Sequence, residues 1–476
     1  ISMVKGEMIP LEHYYAKNCS EEIFKQLYEN YQQEMGRRGL LDFDDMLVMC
    51  YRLFRERKDI LSAWQSKYQY ILIDEFQDIN RIQYEVVKMM ALPGNNLFIV
   101  GDDDQSIYRF RGARPELMLG FPKDYPQCGR VLLDVNYRST PQIVEAAGRL
   151  IAHNKTRFAK EIRAVRRPGR PVITRVFQDG AMEAEAICRE LRDYAKAGVK
   201  WEQMAVLFRT NLGPRLLVEK LMEYNIPFCL RDELPNLFDH WIARNILDYI
   251  LAARGHMERA RILSIINRPK RYISRDALEG EMINWEQVKS FYQDKGWMVE
   301  RIEDLEIHLM SIKKMAPAAA VNYIRKAVGY NGFLKEYAAF RRMKPEELYE
   351  IADQVQESAA QFQTAEAWFQ HIARYREQLK EQARERNQKR EGVSLMTMHS
   401  SKGLEFRVVF ILDANEGVTP HHKAFLDADM EEERRMFYVA MTRAKERLHV
   451  YYVKERYHKK QEVSRFVKEY LEQEAK

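Results

Sequence analysis

Ile71-Leu72-Ile73-Asp74-Glu75-Phe76-Gln77-Asp78 opens on three apolar residues in a row and closes in acid. An unbroken apolar run predicts a buried parallel strand, and the residues after it set two carboxylates at the strand's mouth. The pattern returns at Leu97-Phe98-Ile99-Val100, which runs into Gly101-Asp102-Asp103-Asp104. Between them Ile82, Val86, Met89 and Met90 share one helical face. Strand, helix and strand in that order predict a parallel sheet with sites beyond the carboxyl ends of its strands. Residues 131–135 read as a further strand, and residues 205–208 and 408–412 as strands of a second sheet of the same kind.

The rest of the chain has a different texture. Residues 1 to 40 read as polar helix, with Tyr14, Phe24, Leu27 and Tyr31 at helical intervals. From about 237 to 390 the sequence is almost unbroken helix. There Ile351, Val355, Phe362, Phe369, Ile372 and Leu379 keep the spacing, and a charge run from Arg384 to Arg390 closes the segment as a solvated helix end. Strand signals return at Gly392, so a helical insertion within an α/β domain fits better than a plain succession of domains. The 476 residues are 46% hydrophobic and 31% charged, which suits several packed cores and excludes a largely disordered chain. No apolar stretch is long enough to span a bilayer. Cys19, Cys50, Cys128, Cys188 and Cys229 form no C-x-x-C pair, so a disulfide framework or zinc site is not expected. With no leader at the start, the expected location is the reducing cytoplasm. A net charge of +6 is compatible with a polyanionic partner without demonstrating one.

Two carboxylates at a strand mouth are costly unless used, typically on a divalent cation. In nucleoside triphosphatases the first acid of such a pair holds Mg²⁺, and the second can deprotonate the attacking water. In Gly101 to Ala113, Gln105 can sense a γ-phosphate by hydrogen bonding. Tyr108 and Phe110, interleaved with Arg109 and Arg111, offer stacking faces beside positive charge, as single-stranded nucleic acid requires. By themselves the same aromatics read as core residues. In Asn136-Tyr137-Arg138-Ser139-Thr140-Pro141, Ser139 or Thr140 reads as a helix cap with Pro141 in the first turn. Met398 to Phe406 and Glu431 to Lys445, taken alone, read as charged turn and helix.

In this order the segments DEFQD, GDDDQSIYRFRGA, NYRST, HSSKGLEF and EEERRMFYVAMTRAKERL resemble the superfamily 1A helicases of the UvrD, PcrA and Rep type. Residues 41–47 (LDFDDML) and 207–211 (LFRTN) are similar to family segments too, so the resemblance covers essentially the whole chain. It implies an α/β fold of two RecA-like P-loop NTPase domains, parallel sheets flanked by helices, each with a helical insertion. On that plan residues 1–40 are the tail of the first insertion and 41–135 the remainder of the first RecA-like domain. Residues 136–236 and 391–476 then form the second domain, with 237–390 as its insertion. The implied activity is ATP-driven 3′ to 5′ translocation on single-stranded DNA and unwinding of 3′-tailed duplexes, in repair or replication, with ATP and Mg²⁺ as cofactors. Repair or replication proteins are the possible partners, and no membrane is involved.

By the same resemblance Asp74 coordinates Mg²⁺ and Glu75 is the general base. Gln105 contacts both the attacking water and the γ-phosphate. Arg138 and Arg443 are arginine fingers, Tyr137 stacks on adenine and Glu405 binds the ribose. Tyr108, Phe110, Arg111, Asn211 and His399 contact DNA or couple ATP to it. Many relatives carry Trp where Phe110 stands, which puts the strength of the grip there in doubt. Lys402 stays open between a site role and a structural one.

The family's phosphate-binding G-x-x-x-x-G-K-[ST] is absent, for Gly-Lys-Ser and Gly-Lys-Thr occur nowhere. With Ile1 as the first residue, the expectation is an N-terminally truncated chain whose first RecA-like domain is incomplete. Such a chain would not hydrolyse ATP by itself. The ending about thirty residues after Arg443, without a long nuclease domain, favours the stand-alone branch over the RecB and AddA type. A catalytically inactive DNA-binding scaffold, or one part of a split helicase, is the alternative. Retention of Asp74, Glu75, Arg138 and Arg443 argues against the inactive form. An RNA-directed helicase does not fit GDDDQSIYRFRGA.

Overall fold

Met204–Phe208 is five apolar residues long and buried at every position, the signature of a strand covered on both faces. In a computed structural model of the chain it lies inside a six-stranded sheet. The structure describes residues 1–16, 19–211, 213–385, 391–457 and 459–472. In chain order the strands include β1 (Ile71–Ile73), β2 (Leu97–Ile99), β3 (Val135–Asn136), β4 (Arg163–Ala164), β5 (Ile173–Phe177), β6 (Met204–Phe208), β7 (Phe228–Leu230), β8 (Val393–Thr397), β9 (Phe406–Ile411) and β10 (Ala444–Val453). The large sheet runs β5-β10-β9-β6-β8-β7, with every neighbouring pair parallel.

Side chains alternate across the strands, so the sheet feeds two layers. Ala205, Leu207, Val409, Ile411, Leu448 and Val450 pack with Ile143, Leu150, Phe437 and Val439 from helices Pro141–Ala152 and Asp427–Thr442. On the other face, helix Gly180–Lys196 sets the ring of Tyr194 against Phe410 and His449. This doubly covered parallel sheet is an α/β fold.

β1 and β2 pair with each other in parallel, with Leu72 opposite Phe98. Ile73, Leu97 and Ile99 pack on Phe76, Tyr84 and Phe121. The opposite face differs from expectation, for Leu72 is 71% and Phe98 59% exposed. Among the described residues only one face of this small sheet is covered.

The chain divides into two compact units. One takes Ile1–Asp232, Arg390–Arg456 and Lys460–Lys476, and the other Glu233–Lys389 with Tyr457–Lys459. The second is built from helices, among them Trp241–Ala253, Gly296–Lys313, Pro345–Ala360 and Ala365–Glu385. Its centre holds Trp368, whose indole N–H donates to Ser358 Oγ at 3.0 Å, beside Phe238. Trp368→Ala empties the largest fully buried side chain and strands that hydroxyl. A loss of about 3–5 kcal/mol is expected, read by hydrogen exchange over residues 233–389.

Several sequence readings are corrected. Of residues 131–135 only Val135 is strand, for Val131 and Leu133 find no sheet to bury them and lie exposed. Tyr14 is outside the helix Glu21–Arg38, its ring leaning on Phe24 from the preceding segment. Phe362 falls in the break between two helices. Ala444 and Lys445, read with the charged helix and turn before them, open β10: its alternating Leu448 and Val450 bury against the helices even though charged residues precede them. Arg384 is helical, and the rest of the charge run, residues 386–390, lies outside the described residues. All five cysteines are free. No helix among the described residues is long and apolar enough to cross a membrane.

Candidate nucleotide and nucleic-acid site

β1 ends where the backbone bends sharply. Glu75 takes a left-handed conformation (φ 51°), and its amide donates to Asp74 Oδ1 at 2.8 Å. Both carboxylates are thereby turned to solvent. Beneath them Gln77 is fully buried and ties two loops together. Its Nε2 donates to Glu75 Oε2 at 2.5 Å, while its Oε1 accepts the Asp102 amide at 3.0 Å. Gly101 is required at this crossing, because a Cβ there would collide with Gln77 Oε1.

The acid-rich loop after β2 is a clamp. Lys160 Nζ lies 2.6 Å from Asp102 Oδ1, 2.6 Å from Asp103 Oδ1 and 3.1 Å from Asp104 Oδ2. Arg157 donates to both oxygens of Asp104 at 2.8 and 2.6 Å, and the Phe158 amide donates to Asp103. Against the cost of burial, Lys160 holds the Asp102 carboxyl below its usual range, and the three aspartates raise the Lys160 ammonium. Asp102 in turn accepts a hydrogen bond from Gln105 Nε2 at 2.7 Å. Gln105 is therefore held by a lysine from another loop, which sequence reasoning missed. Three adjacent acids at a strand end call for nearby cations, but nothing local says which ones.

Helix Asp427–Thr442 delivers Arg443, only 1% exposed, to the same point. Its Nε donates to Val439 O at 2.9 Å, its Nη1 to Leu404 O at 3.2 Å, and its Nη2 reaches Gln105 Oε1 at 3.4 Å. Burial, aided by the nearby Arg138 charge, lowers its pKa to about 10. Lys402 is also drawn in. Its ammonium donates to Asp78 and, at 2.8 Å, to the Gln105 carbonyl, with Glu75 at 3.8 Å and the Tyr108 ring at 5.2 Å. Glu75, Asp78 and the Gln105 carbonyl thus surround a lysine whose role the sequence left open.

A cavity of about 640 Å³ opens alongside, lined by Val135, Asn136, Tyr137, Arg138, Arg166, Glu405 and Lys445. Tyr137 presents its ring to it, 75% exposed. Arg138 donates to Glu405 Oε2 at 2.8 Å, and Lys445 pairs with the other oxygen. Lys445 first, then Arg138, holds the Glu405 carboxyl below its usual range.

On the same loop as Gln105, Tyr108 and Phe110 lie 6.1 Å apart, with the Arg111 guanidinium over both rings at 5.3 and 5.4 Å. His399 meets Phe110 edge-on at 5.5 Å. Burial, helped by the Arg209 charge, drives the His399 pKa down to about 4, so the ring is neutral at pH 7. Arg209 is itself held by both oxygens of Glu433 at 3.0 and 2.6 Å. Asn211, two residues on, joins none of these contacts, and its Oδ1 is buried without a hydrogen-bond partner among the described residues.

Mg²⁺ asks for only one or two carboxylates beside phosphates and water. Asp74, exposed and with one oxygen engaged by an amide, meets that demand. No group of three or more metal-ligating side chains occurs among the described residues.

Residues 131–455 match the family model of the UvrD-like helicase C-terminal domain, and residues 2–126 that of the UvrD/REP helicase N-terminal domain. The chain belongs to the UvrD-like helicase family. Its parallel sheet, flanked by helices, is the RecA-like fold of that family. Within the family it is 34% identical to the putative ATP-dependent DNA helicase YjcD of Bacillus subtilis, over 94% of this chain and 60% of the relative. It is 31% identical to the ATP-dependent DNA helicase PcrA of Staphylococcus epidermidis, over 91% of this chain and 62% of that protein. PcrA of Staphylococcus aureus is similar at 32%, over 89% and 60%. The chain thus spans about three-fifths of the length of these UvrD-like relatives.

Proposed function

We propose that this chain serves an ATP-driven motor that moves 3′ to 5′ along single-stranded DNA and separates duplexes, in repair or replication. On this reading residues 1–40 are the tail of the helical insertion of the first RecA-like domain and 41–135 the remainder of that domain. Residues 136–236 and 391–476 form the other, and 237–390 are its helical insertion. The observation that carries the reading is the position of Gln105. It touches Arg443 on one side and Asp102 on the other, its carbonyl is held by Lys402, and Tyr108 follows three residues later. A displacement at the nucleotide is transmitted to the DNA grip through one short loop.

In the proposed chemistry Tyr137 stacks on the adenine and Glu405 binds the ribose. Arg138 exchanges Glu405 for phosphate oxygens as nucleotide enters. Arg138 and Arg443 then stabilise charge on the transferring phosphoryl group. Gln105 orients the water and Glu75 accepts its proton. Asp74 is the residue that would hold Mg²⁺, which when bound neutralises phosphate charge. Tyr108, Phe110, Arg111, Asn211 and His399 face the strand, stacking bases and tracking phosphates.

Two assays test this. Labelled dT16 should bind this chain, and the affinity should fall steeply between about 50 and 200 mM salt. Phosphate release from ATP should stay at background with or without DNA, because the 476 residues hold no Gly-Lys-Ser or Gly-Lys-Thr. DNA-stimulated release that disappears in Glu75→Gln would overturn the second expectation, and failure to bind dT16 at low salt would overturn the reading as a whole.

A further inference from the structure

Thr140 stands at the N-cap of helix Pro141–Ala152 but does not cap it. Its hydroxyl finds no hydrogen-bond partner among the described residues, although the residue is only 5% exposed. The neighbouring Ser139 is diverted elsewhere, donating to Ala444 O at 2.6 Å. Over this helix end runs the segment Val165-Arg166-Arg167-Pro168-Gly169-Arg170. It lies so close that a Cβ on Gly169 would sit 2.7 Å from Thr140 Cγ2, and the Gly169 amide donates to Gln142 Oε1 at 2.8 Å. Together with the start of β10 the segment encloses a cavity of about 500 Å³, lined by Thr140, Arg166, Arg167, Arg170, Glu446 and Arg447 among others.

Four guanidinium groups and one carboxylate line this space, and the carboxylate is already shared. Glu446 accepts from Arg166 at 3.2 Å and from Arg407 at 2.7 Å. Arg167 and Arg170 make no ion pair or hydrogen bond among the described residues. Arg167 and Arg170 are exposed at its rim, and like charges lining one space repel unless something between them carries the opposite sign. The helix end adds its own partial positive charge, and the Thr140 hydroxyl adds an unused donor. The electrostatics, the helix terminus and the orphaned hydroxyl thus each ask for an anion. Guanidinium forks match the oxygens of a phosphate two at a time, and the volume exceeds what a single halide would fill.

We propose that this arginine-lined cavity binds a phosphate group, carried either by a small polyphosphate or by the backbone of a nucleic acid. It shares Arg166 as a wall with the cavity of Tyr137, Arg138 and Glu405, so an anion here would bear on how that wall is held.

The test titrates the chain calorimetrically with inorganic pyrophosphate and, in parallel, by anisotropy with labelled dT16. The variants are Arg167→Glu/Arg170→Glu, Arg138→Ala in the adjoining cavity, and Arg37→Glu/Arg38→Glu. The last makes the same charge change on an exposed helix end whose side chains do not line this cavity. The wild type and the remote pair should bind pyrophosphate alike, Arg138→Ala should keep the part of the binding that the adjoining cavity does not supply, and the 167/170 pair should bind about tenfold or more weakly. If dT16 rather than pyrophosphate is what the 167/170 pair loses selectively, the site stands and the phosphate is a backbone phosphate. The proposal falls if the 167/170 pair binds both ligands like the wild type. It falls equally if the remote pair weakens binding as much, or if Arg138→Ala alone abolishes it. Failure of the wild type to bind dT16 would count against the proposed motor function, while the pyrophosphate arm still decides this site.

Discussion

Lys160→Met should destabilise the first unit by about 3–5 kcal/mol, the cost of stripping the partner from a buried charge. One ammonium serves Asp102, Asp103 and Asp104, and the last two are almost wholly buried. Arg157 remains on Asp104 in the variant, but Asp103 keeps only an amide. The effect should depend on pH in a defined direction. Asp102 is held below its ordinary pKa in the fold, so its contribution is present above about pH 4 and lost as pH falls through the lower folded value. Lys160 is raised, so its contribution is complete below about pH 10 and lost only above that. In the variant the uncompensated carboxylates take up protons more readily, so the gap from wild type should narrow as pH drops from 7 toward 4. Urea unfolding with hydrogen exchange read at residues 102–106 measures this directly, because two compact units need not unfold together. Arg163→Met, which breaks only the exposed pair with Asp134, should cost less than about 1 kcal/mol. A Lys160→Met cost no greater than that control would show that the clamp contributes nothing.

The second large effect is on DNA. Phe110 is exposed, yet it is fixed by the edge of His399 and the Arg111 guanidinium. An aromatic held rigid in solvent is a stacking platform, since little side-chain entropy remains to be lost on binding. Phe110→Ala should weaken dT16 binding by about 1–3 kcal/mol, or roughly 5- to 150-fold. Phe110→Trp should match or exceed the wild type, because a larger ring covers more of a base. Equilibrium anisotropy at fixed salt gives both numbers. Arg111→Ala provides the contrast: loss of a phosphate contact should lower the slope of affinity against salt by about one contact, whereas Phe110→Ala should leave that slope unchanged. If Phe110→Ala changes the slope and not the affinity at low salt, the ring is not a stacking platform.

Much of the fold was legible because its signals are local. The apolar runs at β1, β2, β6 and β9 and the helical spacing from 237 onward depend on neighbours a few residues away, and they survive without any knowledge of the whole. β10 was missed for the same reason. Ala444-Lys445-Glu446-Arg447 is charged, and only the sheet on either side makes an extended conformation the better burial for Leu448, Val450 and Val453. At β1, the apolar run was read as doubly buried, but Leu72 is covered only where another layer is present.

The candidate site divides along the same line. The resemblance carried by the order of the motifs singled out Asp74, Glu75, Gln105, Arg138, Glu405 and Arg443. It could not say that Arg138 rests on Glu405, that Asp78 and the Gln105 carbonyl share Lys402 across 324 and 297 residues, or that Lys160 holds the three aspartates. Nor could it single out Arg167 and Arg170 from the other surface arginines until the fold brought them to an uncapped helix end. Periodicity and motif are properties of adjacent residues and can be read along a line. The partner of a buried charge is chosen by whichever cation the folded chain carries within about 3–4 Å, and that distance exists only in three dimensions.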